Sequence, residues 1–212
     1  MTRGRKIPAL VFLRETEKKM KSICLFCGSN KGGKPEYEEA ARVFGRTLAE
    51  QGITLVYGAG KVGLMGVAAD AALEAGGKVI GVIPEFLKAK EVAHLGLTEL
   101  HITETMHQRK AMMAQLSDGF IALPGGFGTF DELFEILTWA QLSVHNKPVG
   151  VLDAGGFYQP LRALVEHAVS EGFVPKGNLD LFRIERDLPA LLSWMRQYQP
   201  SHVAKWLDLA RT

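Results

Sequence analysis

From Lys21 onward, the chain alternates between two hydrophobic rhythms. Short apolar runs occur at 22–27, 53–57, 78–83, 99–102, 119–123 and 148–152. Each is nearly continuous in apolar character, as suits a strand buried on both faces. Between them, helical spacing covers 35–51, 62–75, 105–117, 129–143 and 158–171. A run at 179–184 reads as one further strand before a last helix at 188–198. Gly52, Gly76 and Gly172 stand where C-terminal helix caps belong. Strand–helix repetition without hairpin turns predicts an α/β fold, a doubly wound parallel sheet with helices on both faces. Ligands of such sheets bind beyond the carboxyl ends of the strands, where strand order reverses. Candidate chemistry is therefore sought in the loops that follow strands.

Composition narrows the class. The 212 residues are 47% hydrophobic and 23% charged, which fits one globular domain with a sizeable core and excludes intrinsic disorder. No run approaches the ~18 consecutive apolar residues of a membrane span. Lys and Arg exceed Asp and Glu by 25 − 23 = 2, too small a surplus to advertise a nucleic-acid or membrane partner. Residues 1–20 read as a loose basic tail, or as sequence upstream of a start at Met20, and 199–212 as a C-terminal tail. The expected domain is 21–198. The first twenty residues lack a signal-peptide core and the thiols are free, so a cytoplasmic location is expected. Cys24 and Cys27 form a Cys-x-x-Cys pair inside a strand, where residues three apart face opposite ways. They read as packing residues rather than a redox couple.

Three loops are rich in glycine. The first, Gly28 to Pro35, nearly matches a Walker A motif, but Pro35 stands where a hydroxyl must ligate magnesium. It reads instead as a polar loop over a ligand, with Ser29 and Asn30 as donors. The second, Gly58-Ala59-Gly60-Lys61-Val62-Gly63, satisfies a GxGxxG fingerprint, with Glu85 about 20 residues on. A nicotinamide-dependent oxidoreductase is therefore an alternative, although the loop follows the second strand and nothing downstream resembles a hydride-transfer site.

The third loop, Leu123 to Glu132, runs from a strand through Pro124 and the glycines Gly125, Gly126 and Gly128 into a helix. Bare N–H groups at a helix start form an anion site, to which Thr129 adds a hydroxyl and which a phosphate monoester would fit. Thr129 and Glu132 are also spaced as a capping box, so Glu132 has a purely structural reading as the third helical residue.

The motif PGGxGTxxE, Pro124 to Glu132 here, occurs with Met106-His107-Gln108-Arg109-Lys110, Gly63-Leu64-Met65-Gly66 and Thr138-Trp139-Ala140-Gln141-Leu142. Together these resemble the LONELY GUY (LOG) family of cytokinin riboside 5′-monophosphate phosphoribohydrolases, many once labelled lysine decarboxylases. The resemblance runs from about Lys21 to Trp194. It implies a Rossmann-like homodimer that hydrolyses the N-glycosidic bond of a nucleoside 5′-monophosphate, with no cofactor and no metal. It further implies that Arg109 and Glu132 are the catalytic couple. Gly125, Gly126, Gly128 and Thr129 would form the phosphate loop; Phe127 within it, and Ser29 from the first loop, are further substrate-binding candidates. Glu91 matches a substrate-contacting acid and Lys110 flanks the site. One departure is Ala59, where the family usually carries glycine.

The chemistry is consistent with the pattern. Both Arg109 and Glu132 are expected near helix starts at the carboxyl edge, where they can converge. Cleavage builds positive charge on the sugar, which an ionised Glu132 can stabilise. Arg109 can hold phosphate or ribose oxygens and orient Glu132. A pyridoxal-dependent decarboxylase would need a Schiff-base lysine, and Lys147 has no evident partners for that task. A nucleotide or cofactor carrier without turnover is a second alternative, opposed by the presence of both Arg109 and Glu132. The broad apolar face formed by Phe130, Leu133, Phe134, Leu137 and Trp139 fits either deep burial or a partner subunit. Met106, Met112 and Met113 fit either an adaptable pocket or the core.

Overall fold

The computed structural model describes residues 20–88 and 93–200. Seven strands form one sheet: β1 (Ser22–Phe26), β2 (Thr54–Tyr57), β3 (Val79–Pro84), β4 (Glu99–Thr103), β5 (Gly119–Ala122), β6 (Val149–Leu152) and β7 (Phe182–Glu185). Their order is β4-β3-β2-β1-β5-β6-β7, and every neighbouring pair is parallel. The expected doubly wound sheet is therefore present. From β1 the chain winds outward to β4, then returns to place β5 on the other side of β1. The strand order thus reverses between β1 and β5, which is where a crevice belongs.

The helices are α1 (Pro35–Glu50), α2 (Gly63–Glu74), the single turn α3 (Glu85–Lys88), α4 (Met106–Gln115), α5 (Phe127–Gln141), α6 (Gln159–Ser170) and α7 (Leu188–Gln197). Alternate strand residues feed two separate cores. Ile23, Leu25 and Leu55 face α1, α2 and α7 through Phe44, Leu64 and Leu191. Cys24, Phe26 and Val82 face α4, α5 and the turn before α6 through Met113, Leu133 and Tyr158. Each large apolar side chain fully buried this way contributes about 1.5–3 kcal/mol. Cys24 and Cys27 fall in opposite cores, so they are packing residues on either side of the sheet.

Several boundaries differ from expectation. The run 179–184 becomes a strand only at Phe182, because Lys176–Leu181 coils as a 3-10 turn. Helix α5 begins at Phe127, two residues before the expected start, since Gly126 can serve as its N-cap without a side chain. Met20 was expected in the tail but is buried among the α1/α2/α7 core residues. Met113, considered for a pocket, is a core residue, and Met112 packs against the same core. Residues 1–19 and 201–212, which hold most of the expected tails, lie outside the described residues. No helix among the described residues is long and apolar enough to cross a membrane.

Candidate active site

The loops after β1 and β5 meet at the switch point, where Gly28 N–H donates to Pro124 O at 3.0 Å. Between them lies a cavity of about 270 Å³ lined by Gly28, Ser29, Asn30, Gly125 and Gly126, with Tyr37 and Phe157 as aromatic walls. Ser29 and Asn30 therefore stand where the first loop was expected to present donors. Gly125 must lack a side chain, because a Cβ there would strike Thr129 Oγ1 and approach Gly28 N within 2.9 Å. Gly126, the N-cap of α5, makes no side-chain cap. The first amides of α5 have no partners within the helix, apart from capping groups, and the helix dipole adds positive potential. Thr129 is buried on the same turn. Phe127 projects from it, 93% exposed.

Arg109 and Glu132 converge as expected. Arg109 lies in the first turns of α4, whose start is fixed by a capping box. Thr105 Oγ1 accepts from Gln108 N–H at 3.2 Å, and Gln108 Oε1 accepts from Thr105 N–H at 3.3 Å. Arg109 Nε donates to Val82 O at 3.1 Å, near the carboxyl end of β3, and Nη1 meets Glu132 Oε1 at 3.2 Å. The two residues are only 6% and 9% exposed, so their attraction is little screened. Glu132 is the sixth residue of α5, not the third, and no capping box forms there. Its carboxylate is therefore matched by the Arg109 guanidinium more than by the helix terminus.

The glycines of the second loop are packed tightly against their own neighbours. A Cβ on Gly58 would collide with Arg109 Nη2, and one on Gly63 with the Ser29 backbone. Gly60 pairs with Ala93 in an antiparallel bridge. These glycines serve close protein packing, which accounts for the fingerprint spacing without a dinucleotide. Ala59 holds a left-handed φ of 62°, and its methyl group packs towards Gly81, where an added Cβ would lie 2.7 Å from it. The departure from glycine therefore points away from the crevice.

Lys110, the next residue on α4, is mostly buried, with Nζ 3.0 Å from both Asp131 and Glu135. Burial opposes its charge, but bonding to Glu135 and Asp131 prevails and raises its pKa. Glu91 lies outside the described residues. Lys147 sits at the start of β6, on the amino edge of the sheet, and donates to Ala114 O at 2.7 Å. It is remote from the carboxyl-edge crevice, so it is not placed to serve decarboxylase chemistry there.

Sequence reading missed Tyr37 on α1 and the turn from Asp153 to Tyr158 after β6. Phe157 walls the cavity, and Tyr158 Oη donates to Leu123 O at 2.7 Å, directly before the glycine loop. The available signal was an acid followed by two glycines and two aromatics at the end of a strand.

Comparison with known proteins agrees with this geometry. A family model described as possible lysine decarboxylase matches residues 65–195. The cytokinin riboside 5′-monophosphate phosphoribohydrolase of Rhodococcoides fascians is 45% identical over 193 residues, covering 91% of this chain and 98% of that protein. The enzyme of the same name, LOG2, from Arabidopsis thaliana is 44% identical over 190 residues, covering 90% and 89%. Among solved structures, the molybdenum cofactor carrier protein MCP of Chlamydomonas reinhardtii matches with a TM-score of 0.63. At 22% identity over 84% of this chain and 98% of that one, it speaks for the fold alone. With the order of its motifs and the buried Arg109–Glu132 pair, the chain belongs to the LOG family of cytokinin riboside 5′-monophosphate phosphoribohydrolases.

Proposed function

We propose that this protein hydrolyses the N-glycosidic bond of a nucleoside 5′-monophosphate, a cytokinin riboside 5′-monophosphate or AMP, to free base and ribose 5-phosphate. The observation that carries the reading is the Arg109–Glu132 pair, 3.2 Å apart and buried beside a helix-start anion loop. The kinship with phosphoribohydrolases supports the same reaction.

The 5′-phosphate sits on the amides of Gly126, Phe127, Gly128 and Thr129, with the Thr129 hydroxyl as a further donor. Ser29 approaches from the loop after β1, and the match of Glu91 to the family's substrate-contacting acid supports it as a further contact. Glu132 faces the sugar. As the C1′–N bond lengthens, positive charge spreads over C1′ and the ring oxygen, and the carboxylate stabilises it. Water delivers hydroxyl to C1′. The bond's electrons leave on the base, which takes up a proton from solvent. Arg109 binds phosphate or ribose oxygens while keeping Glu132 oriented, and its Nε bond to Val82 O fixes its direction beforehand. Lys110 steadies α4 against α5 beside this pair.

Glu132→Gln keeps the shape and removes the charge. It is expected to bind AMP as the wild type does while base release, followed by chromatography, falls at least about a hundredfold. A rate within about tenfold of wild type (~1.4 kcal/mol of barrier) reduces Glu132 to a structural residue. A wild-type protein that binds AMP and frees no adenine is the carrier of the alternative reading. Assaying AMP beside isopentenyladenosine monophosphate identifies the preferred base.

The working form is a homodimer. Phe127 exposes apolar surface at the start of α5, beside the site, and Phe134, Leu142 and Val144 do so further along and just after the helix.

A further inference from the structure

We propose that Tyr158 is a positioning residue for the glycine loop, whose hydroxyl holds the loop in the shape that grips a phosphate monoester. This rests on the phosphoribohydrolase reading for the identity of the ligand.

The loop has a physical difficulty. Gly125 must be bare because Thr129 and Gly28 crowd it, yet bare glycines leave a backbone free to swing. Anion binding by amides needs their directions fixed in advance. Two successive carbonyls supply that constraint from opposite sides. Pro124 O accepts from Gly28 N–H at 3.0 Å, and Leu123 O accepts from Tyr158 Oη at 2.7 Å. Leu123 N–H is itself held by Phe26 O at 2.9 Å. The peptide planes leading into Gly125 are thereby tied to β1 on one side and to the turn after β6 on the other.

Tyr158 is a firm anchor. Its ring is fully buried, and its own N–H donates to Asp153 Oδ1 at 2.7 Å. Asp153, 1% exposed, also accepts from Gln159 Nε2 at 2.6 Å and receives Arg186 Nε at 3.5 Å, while its N–H donates to Glu185 O at 2.7 Å. Gly155 and Gly156, at φ 58° and 75°, let the chain double back tightly enough to return Tyr158 beneath the loop. Phe157 is packed edge-on to Tyr158, with centroids 5.0 Å apart, and lines the cavity beside Tyr37. One turn thus fixes both the loop and a wall of the crevice. Burial pushes the Tyr158 hydroxyl above its ordinary pKa, so it remains a donor at any working pH.

The test is Tyr158→Phe, which removes the hydroxyl and keeps the ring. The expected result is a rise of about tenfold in KM for AMP with kcat within about twofold, because a loosened loop weakens phosphate binding without touching Glu132. Calorimetry with ribose 5-phosphate should show the same rise in Kd, whereas ribose itself should bind the two proteins alike. A KM and Kd within about twofold of wild type, or a fall in kcat at constant KM, overturns the proposal. If Tyr158→Phe does not fold, Asp153→Asn gives the same readings, since it loosens the turn carrying Tyr158 and leaves the hydroxyl in place. Wild-type protein that binds ribose 5-phosphate but frees no base sinks the hydrolase reading alone, and the Kd comparison then decides this one. Failure to bind ribose 5-phosphate at all ends both.

Discussion

A methyl group on Gly58 would occupy the space now filled by Arg109 Nη2. Gly58→Ala should therefore displace the guanidinium from Glu132 and lower kcat by about tenfold or more, with the melting temperature little changed, since Gly58 needs no left-handed φ. Gly33→Ala, where an added Cβ meets nothing within 4 Å, is the matched control and should be neutral in the same assay. The sequence marks Gly58 as one of three glycines in a fingerprint. Its partner, 51 positions along the chain, is invisible until the fold brings α4 over β2. The cysteines were easier to read, because alternation along a strand separates their side chains in any sheet. Burial, and then the Glu132 charge, pushes both thiols up. Neither should react with a disulfide reagent near neutral pH in the native protein, and both should react once it is denatured. Fast labelling of the native chain would contradict the packing described.

At the scale of elements, α4 and α5 are lashed together by adjacent pairs, Arg109 with Glu132 and Lys110 with Asp131 and Glu135. Lys110→Met should cost about 1–2 kcal/mol in denaturant unfolding, less than a fully buried pair because Asp131 stays in solvent. The pKa of Lys110 is raised on folding, so its contribution is complete below the ordinary lysine value. It is lost as pH rises through the higher folded value. Wild-type stability should therefore show a component that declines in strong alkali and is missing from Lys110→Met, as read from melting curves. Seven strands, the last only in its second half, and six helices were legible because long periodic segments carry their own evidence. The start of α5 was not, since each of its first three residues is or follows a glycine and propensity argues against a helix there. The turn from Asp153 to Tyr158 reads locally as an ordinary loop, and its worth depends on Leu123, 35 residues earlier.

Across the whole molecule, the two edges of the sheet divide the work. The carboxyl edge gathers the glycine loops, Arg109 and Glu132. The amino edge holds Lys147, whose ammonium is bound to the end of α4. The exposed apolar groups of α5 should bury themselves in a second copy. Light scattering is expected to give twice the chain mass, and Phe134→Glu should halve it. A wild-type monomer at micromolar concentration would remove the homodimer from the account. The sheet and the meeting of Arg109 with Glu132 followed from periodicity and strand direction. The Arg109 anchor on Val82 did not, because a main-chain oxygen leaves no mark in a sequence.

That anchor makes β3 the custodian of the cation. Since main chain rather than ligand decides where the guanidinium rests, a crystal grown without nucleotide should superpose at Arg109 on one grown with it. Swapping in lysine, which has no second nitrogen to spare for Val82, should leave the charge wandering and the enzyme idle.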